Sequence, residues 1–89
     1  MTIPGGWTEY RGDIPNDVMD TFNQAFEGFV GVHYIPVAYA QQVTSGMNYS
    51  FFCNASGVYP HSTSQPSTVD IYKPLEGNPE IKEIKIMDH

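Results

Sequence analysis

The sequence predicts an α+β fold in which a single helix packs on a curved antiparallel sheet of four to five strands. One segment repeats its apolar residues at helical spacing, whereas four later segments alternate apolar and polar residues. Glycine, proline and serine separate these segments, as expected for turns. At 89 residues the chain is expected to form one domain, spanning residues 1–89, in which residues 1–12 make an extended N-terminal arm.

The helix is predicted over Asp13–Gly28. Its apolar residues form a single stripe: Val18, Phe22, Ala25, Phe26 and Phe29. Pro15 suits a first helical turn, and either Asp13 or Asn16 suits the N-cap. Gly28 suits the turn that ends a helix. The stripe requires the helix to cover one face of the sheet.

Four segments are predicted as strands because their apolar residues alternate: Val30–Gln42, Asn48–Ala55, Ser67–Lys73 and Glu80–Met87. Pro36 has no N–H to donate, so we place it at a sheet edge or at a bulge, and Gly31 is a second candidate for a bulge. Thr44–Gly46 is short enough for a hairpin turn. Ser56–Pro66 reads as a longer loop, and Pro74–Pro79 as a tight turn.

Charge and hydropathy exclude several classes of function. The formal net charge is −6, with four basic residues against ten acidic ones. This balance offers no surface for a phosphate backbone or an acidic membrane, so neither nucleic acid nor a membrane is an expected partner. No run of 18 apolar residues is present. The first residues lack the features of a signal peptide, which predicts a cytoplasmic protein or a secreted one whose leader has been removed.

A thiol enzyme would use Cys53, the single cysteine, with His33 or His61. Cys53 alternates with Tyr49 and Phe51, which predicts a buried structural thiol. The three histidines lack the spacing of metal ligands. We therefore predict a protein that is not an enzyme and that carries no cofactor or metal, and a lone cysteine excludes an intramolecular disulfide.

Several short motifs occur in a particular order along the chain. Gly5 or Gly6 precedes the first structured segment, and the predicted helix ends in the segment Phe26–Val32. Gln42-Val43-Thr44-Ser45-Gly46 forms the first hairpin loop, and Asn48-Tyr49-Ser50-Phe51 comes directly after it. Leu75-Glu76-Gly77-Asn78-Pro79 forms a late turn. This order resembles the cystatin family, and the absence of disulfides is similar to its stefin branch and to the plant cystatins.

The resemblance implies a reversible, tight-binding inhibitor of papain-like cysteine proteases that occludes the active-site cleft like a wedge. Glycine lets the backbone lie close to a cleft wall, and Gln42 is expected to hold the first loop through its amide. The residues implied for protease binding are Gly5, Gly6, Gln42, Val43, Thr44, Ser45, Gly46, Gly77, Asn78 and Pro79.

Two departures from the family pattern support an alternative. Thr44 replaces the usual Val, and the second loop has no Trp. The alternative is a cystatin-fold interaction or scaffold module without inhibitory activity, because a fold alone does not define a function. The expected state is a monomer, and a domain-swapped dimer would form if the first loop opened at a Val43-Thr44 hinge.

Overall fold

A computed structural model describes residues 6–29, 31–57 and 65–87. Helix α1 (Asn16–Ala25) precedes strands β1 (Val32–Val43), β2 (Met47–Gly57), β3 (Gln65–Lys73) and β4 (Glu80–Ile86). The strands form one open antiparallel sheet in the order β1-β2-β3-β4. The predicted α+β class, with one helix packed on an antiparallel sheet, is confirmed.

Helix α1 is shorter than predicted at both ends. Pro15 occupies the N-cap with an extended ψ of 156°, and no side chain caps the helix. The predicted cap by Asp13 or Asn16 is therefore wrong, and Asp13 instead lies 3.7 Å from the guanidinium of Arg11. After Ala25 the chain turns toward β1, and Gly28 adopts a φ of +82° there. No helix in the described part of the chain is long and apolar enough to cross a bilayer.

The core lies between α1 and one face of the sheet. Phe22 packs on Phe51 with ring centroids 4.8 Å apart and the rings nearly edge-on. The buried core comprises Val18, Phe22, Tyr39, Tyr49, Phe51, Cys53, Val69 and Ile71. Phe29, the last member of the predicted stripe, lies beyond the helix and is 44% exposed. The helix therefore ends before the stripe does.

Strand β1 contains a bulge at Val37. The register with β2 shifts between Pro36 and Ala38, which confirms the predicted irregularity at the proline. Gly31 lies before β1 with a φ of +103°, so it is not the bulge. The extra residue lets Tyr34 and Tyr39 face the same side of the sheet although five positions separate them. Both tyrosines thus join the core side.

Candidate functional site

The β1–β2 turn and the β3–β4 turn lie at the same end of the sheet. In an antiparallel sheet with sequential order, alternate connections emerge at one end. Met47, which follows the first turn, pairs directly with Lys73, which precedes the second. The hydroxyls of Ser45 and Tyr72 lie 3.5 Å apart. The structure therefore brings the two predicted loops together.

The N-terminal arm runs antiparallel to the free edge of β1. Isolated bridges join Trp7 to Gln42 and Arg11 to Tyr39. Thr8 N donates to the carbonyl of Gln41 at 2.9 Å, and Arg11 and Tyr39 exchange two backbone hydrogen bonds. Because the arm is antiparallel to β1, its first described residue lies toward the β1–β2 turn. Gly6 lies at that end, and Gly5 lies outside the described residues.

Hydrogen bonds within the β1–β2 turn define its shape. Asn48 Nδ2 donates to Gln42 Oε1 at 2.9 Å, which confirms that Gln42 holds the loop through its amide. Gly46 N donates to Thr44 Oγ1 at 3.3 Å, and Thr44 N donates to the Gly46 carbonyl at 3.0 Å. Thr44 therefore supplies an acceptor to the turn. Val43, Thr44 and Ser45 are exposed.

Gly46 differs from its neighbours because it is buried. A Cβ at this position would overlap the carbonyl oxygen of Lys73 and lie 2.9 Å from Cα of Pro74. Glycine is therefore required here by the protein's own fold. The sequence prediction assigned Gly46 to the approach of a protease wall, and the structure adds an intramolecular reason for the same residue.

Of the three residues of the β3–β4 turn that were predicted to bind a protease, two are exposed and one is buried. Gly77 has a φ of +124° and, like Asn78, is exposed, whereas Pro79 is buried. Leu75 is 85% exposed, the largest value among the exposed large apolar side chains of residues 6–29, 31–57 and 65–87. Leu75 was not among the predicted binding residues. The signal that could have found it is an apolar residue between Pro74 and the polar Glu76-Gly77-Asn78 stretch.

Three segments thus share one end of the molecule, and we call them the hairpin edge: Gly6, Val43–Ser45 and Leu75–Asn78. Two apolar side chains project from it, Val43 at 52% and Leu75 at 85% exposure. Gln42 lies at its base and is partly buried. The arrangement offers two adjacent thin turns and the end of the arm to a partner, on a sheet that holds their relative positions.

Cys53 lies in the core and not at the hairpin edge. Its side chain is fully buried, as predicted, and its thiol donates to the carbonyl of Phe51 at 3.7 Å. Burial raises the pKa of Cys53 to about 12, so the thiol stays protonated. In the β1–β2 register Cys53 lies opposite Pro36, whereas His33 lies opposite Ser56. The structure therefore does not bring Cys53 and His33 together, and His61 lies outside the described residues.

Stability is expected to fall as the pH rises above about 9, because the unfolded thiol, with its ordinary pKa of 9.0, ionises while the folded thiol does not. Between the two pKa values the free energy of unfolding should decrease by roughly 1.4 kcal/mol per pH unit. Burial also raises the pKa of Tyr49 from its ordinary value of 10.0, which steepens the loss at higher pH. Urea unfolding at pH 8, 9 and 10 measures this slope.

The Cys53→Ala variant separates the two contributions. It should be less stable than wild type at pH 8, because it leaves a small cavity, but its stability should change little up to pH 9.5. Parallel pH profiles for wild type and variant would show that the thiol does not cause the loss.

Residues 6–29, 31–57 and 65–87 contain no group of three or more His, Cys, Asp and Glu side chains arranged to hold a metal ion. Comparisons of the chain with family models, curated proteins and solved structures find no significant match. The fold and the hairpin edge are therefore the observations from which a function is inferred.

Proposed function

We propose that the protein is a reversible, tight-binding inhibitor of papain-like cysteine proteases and that the hairpin edge occludes the active-site cleft. The observation that carries the proposal is the placement of three separate segments at one end of the sheet. The end of the arm leads to the first turn, and the first turn contacts the start of the second. The cystatin resemblance of the sequence concerns these same three segments.

The shape of the hairpin edge suits a narrow cleft. Each turn is a few residues wide and projects main chain beyond the sheet. Val43 and Leu75 provide exposed apolar surface, whose burial in a complex contributes about 25 cal/mol per Å² before the costs of association. Protease inhibitors typically bury roughly 800 Å² on each partner. Occlusion by such an edge cuts no bond and needs no catalytic group.

Preorganisation supports the proposal as well. The Gln42–Asn48 side-chain bond and the Thr44–Gly46 contacts shape the first turn before any partner binds. The backbone bonds of Thr8 and Arg11 align the arm along β1. A loop that is already ordered loses less conformational entropy on binding, so more of the contact energy appears as affinity.

The proposal is tested by residual papain activity at increasing ratios of this protein, with Val43→Glu as the informative variant. A carboxylate introduced at an apolar contact should weaken inhibition by roughly 10–100-fold, about 1.4–2.8 kcal/mol. Ile35→Glu is the matched control. Ile35 is also a β-branched residue on β1 and is 58% exposed, but it lies near the opposite end of the strand. The control should inhibit like wild type.

Circular dichroism must show that both variants are folded. Equal inhibition by wild type, Val43→Glu and Ile35→Glu would place any inhibitory site elsewhere. No inhibition of papain or of other papain-like proteases by the folded wild type, even in large excess, would replace the proposal with a cystatin-fold interaction module that does not inhibit proteases.

A further inference from the structure

The arm runs along the edge of β1, and its Trp7 and Tyr10 side chains reach over the face of the sheet that α1 does not cover, which we call the outer face. The Tyr10 hydroxyl and Ser50 Oγ are 2.6 Å apart, so the tyrosine reaches from the arm to β2. Ala40 and Ser50 are 2% and 8% exposed although no helix covers them. Trp7 and Tyr10 each remain about half exposed, at 49% and 50%. The two aromatic side chains therefore cover part of the outer face and still present surface to solvent.

Trp7 lines a larger and a smaller cleft among the described residues of this face. The larger has a volume of 320 Å³ and is lined by Trp7, Thr8, Tyr10, Ala40, Ser50 and Asp70. The smaller, of 170 Å³, shares Trp7 and Asp70 and reaches Lys82. The larger, which we call the arm cleft, is at the lower end of the size range of small-ligand sites. It combines two aromatic side chains with one carboxylate.

Near the arm cleft, two acidic side chains of β4 have a lysine partner, whereas the carboxylate of Asp70 has none among the described residues. Asp70 lies directly opposite Glu83 in the β3–β4 register, which places two like charges side by side. Glu83 pairs with Lys85 at 3.6 Å, and Glu80 pairs with Lys82 at 3.2 Å. Within the part of the chain that the structure describes, no hydrogen bond or ion pair reaches the Asp70 carboxylate. Asp70 therefore lacks the cation that its neighbours have.

We propose that the arm cleft binds a small organic cation, with an ammonium group beside Asp70 and an apolar body against Trp7 and Tyr10. Aromatic faces attract cations through their quadrupole, and a carboxylate adds a charge-assisted hydrogen bond. The cleft lies on the outer face and not on the hairpin edge, so this site does not depend on the proposed inhibition. The excess of acidic residues, at a net charge of −6, further favours a cationic ligand.

Trp7 is the only tryptophan, so its fluorescence reports directly on the arm cleft. The probe is benzylamine at pH 7, where it is protonated, and benzyl alcohol is its uncharged counterpart. Titration with benzylamine should produce a saturable change in Trp7 emission at millimolar concentrations. Benzyl alcohol should produce no saturable change over the same range.

Two substitutions test the role of the carboxylate. Asp70→Asn should weaken benzylamine binding at least tenfold, and it should remain folded because it relieves the repulsion with Glu83. Asp20→Asn, a change of the same type on the exposed surface of α1, should leave binding unchanged. Tyr10→Leu removes one aromatic wall and should weaken binding severalfold, which provides a second test.

Four results would overturn the proposal, and the first three concern the probe and the cleft variants. These three are an absence of saturation with benzylamine, an equal response to benzyl alcohol, and unchanged binding in both Asp70→Asn and Tyr10→Leu. A loss of binding that is as large in Asp20→Asn as in Asp70→Asn would also overturn it, because the effect would then follow net charge and not the cleft.

Discussion

Replacing Gly46 with alanine is expected to lower the free energy of unfolding by about 1–3 kcal/mol, the usual range for overpacking a tight site. The new Cβ would overlap the carbonyl oxygen of Lys73 and approach Cα of Pro74 to 2.9 Å. Both are backbone atoms, which cannot move aside by changing a rotamer. The β1–β2 turn would therefore have to move away from the start of the β3–β4 turn.

Gly12→Ala is the control for this prediction. The nearest atom to a Cβ at Gly12 is Val37 O at 3.8 Å, an ordinary contact distance. The substitution should be neutral, or stabilising by about 0.4–1 kcal/mol through the reduced entropy of the unfolded chain. Urea unfolding of both variants measures the difference, and equal stability of the two would contradict the predicted overlap.

Gly46→Ala also affects how the inhibitory function is tested. If the variant shifts the two turns apart, inhibition falls because the hairpin edge changes shape, whether or not Gly46 touches a protease. Val43→Glu avoids this ambiguity because Val43 is exposed and its side chain is not needed to close the turn.

Phe51→Ala is expected to lower the free energy of unfolding by about 3–5 kcal/mol, the largest effect that we predict. Phe51 is fully buried, and its ring lies 4.8 Å from Phe22, 6.0 Å from Tyr49 and 6.4 Å from Tyr39. Its removal takes away aromatic contacts from α1, β1 and β2 together. Domains of this size are typically stable by only about 4–13 kcal/mol, so much of the folded population could be lost.

Phe52→Ala provides the matched control, because Phe52 is the next residue on the same strand. Its side chain points to the outer face and is partly buried. The expected loss is about 1 kcal/mol, since less apolar surface leaves solvent there. Thermal unfolding followed by circular dichroism compares the two. A larger loss for Phe52→Ala would mean that the two faces of β2 are assigned the wrong way round.

The elements of the fold could be predicted because their signals are local. The spacing of Val18 and Phe22 shows a helix whose stripe is buried, and the alternation of Tyr49, Phe51 and Cys53 shows which face of β2 joins the core. The ends of the elements were less predictable. Whether the helix ends at Ala25 or Gly28 depends on where the chain must turn to reach β1. The position of the sheet, and not the local sequence, sets that turning point.

The candidate site was predictable in part for the same reason. The sequence led us to expect that Gln42 holds the first loop through its amide, and the structure supplies the partner, Asn48, six positions further along the chain. Leu75 and Pro79 belong to one turn, yet one is exposed and the other buried. That difference depends on how the turn packs against the rest of the molecule. The sequence of one strand-turn-strand segment carries no information about those contacts.

By itself the sequence indicated one helix followed by four strand segments, the buried faces of the helix and of β2, and the short turns that follow β1 and β3. These follow from periodicity and turn chemistry, which act within a few residues. Only the tertiary structure decided that the arm pairs with β1, that Gly46 lies against Lys73, and that Trp7 and Tyr10 form a cleft with Asp70. Each of these contacts joins residues distant in the chain, and their positions depend on the strand register, which no local pattern specifies.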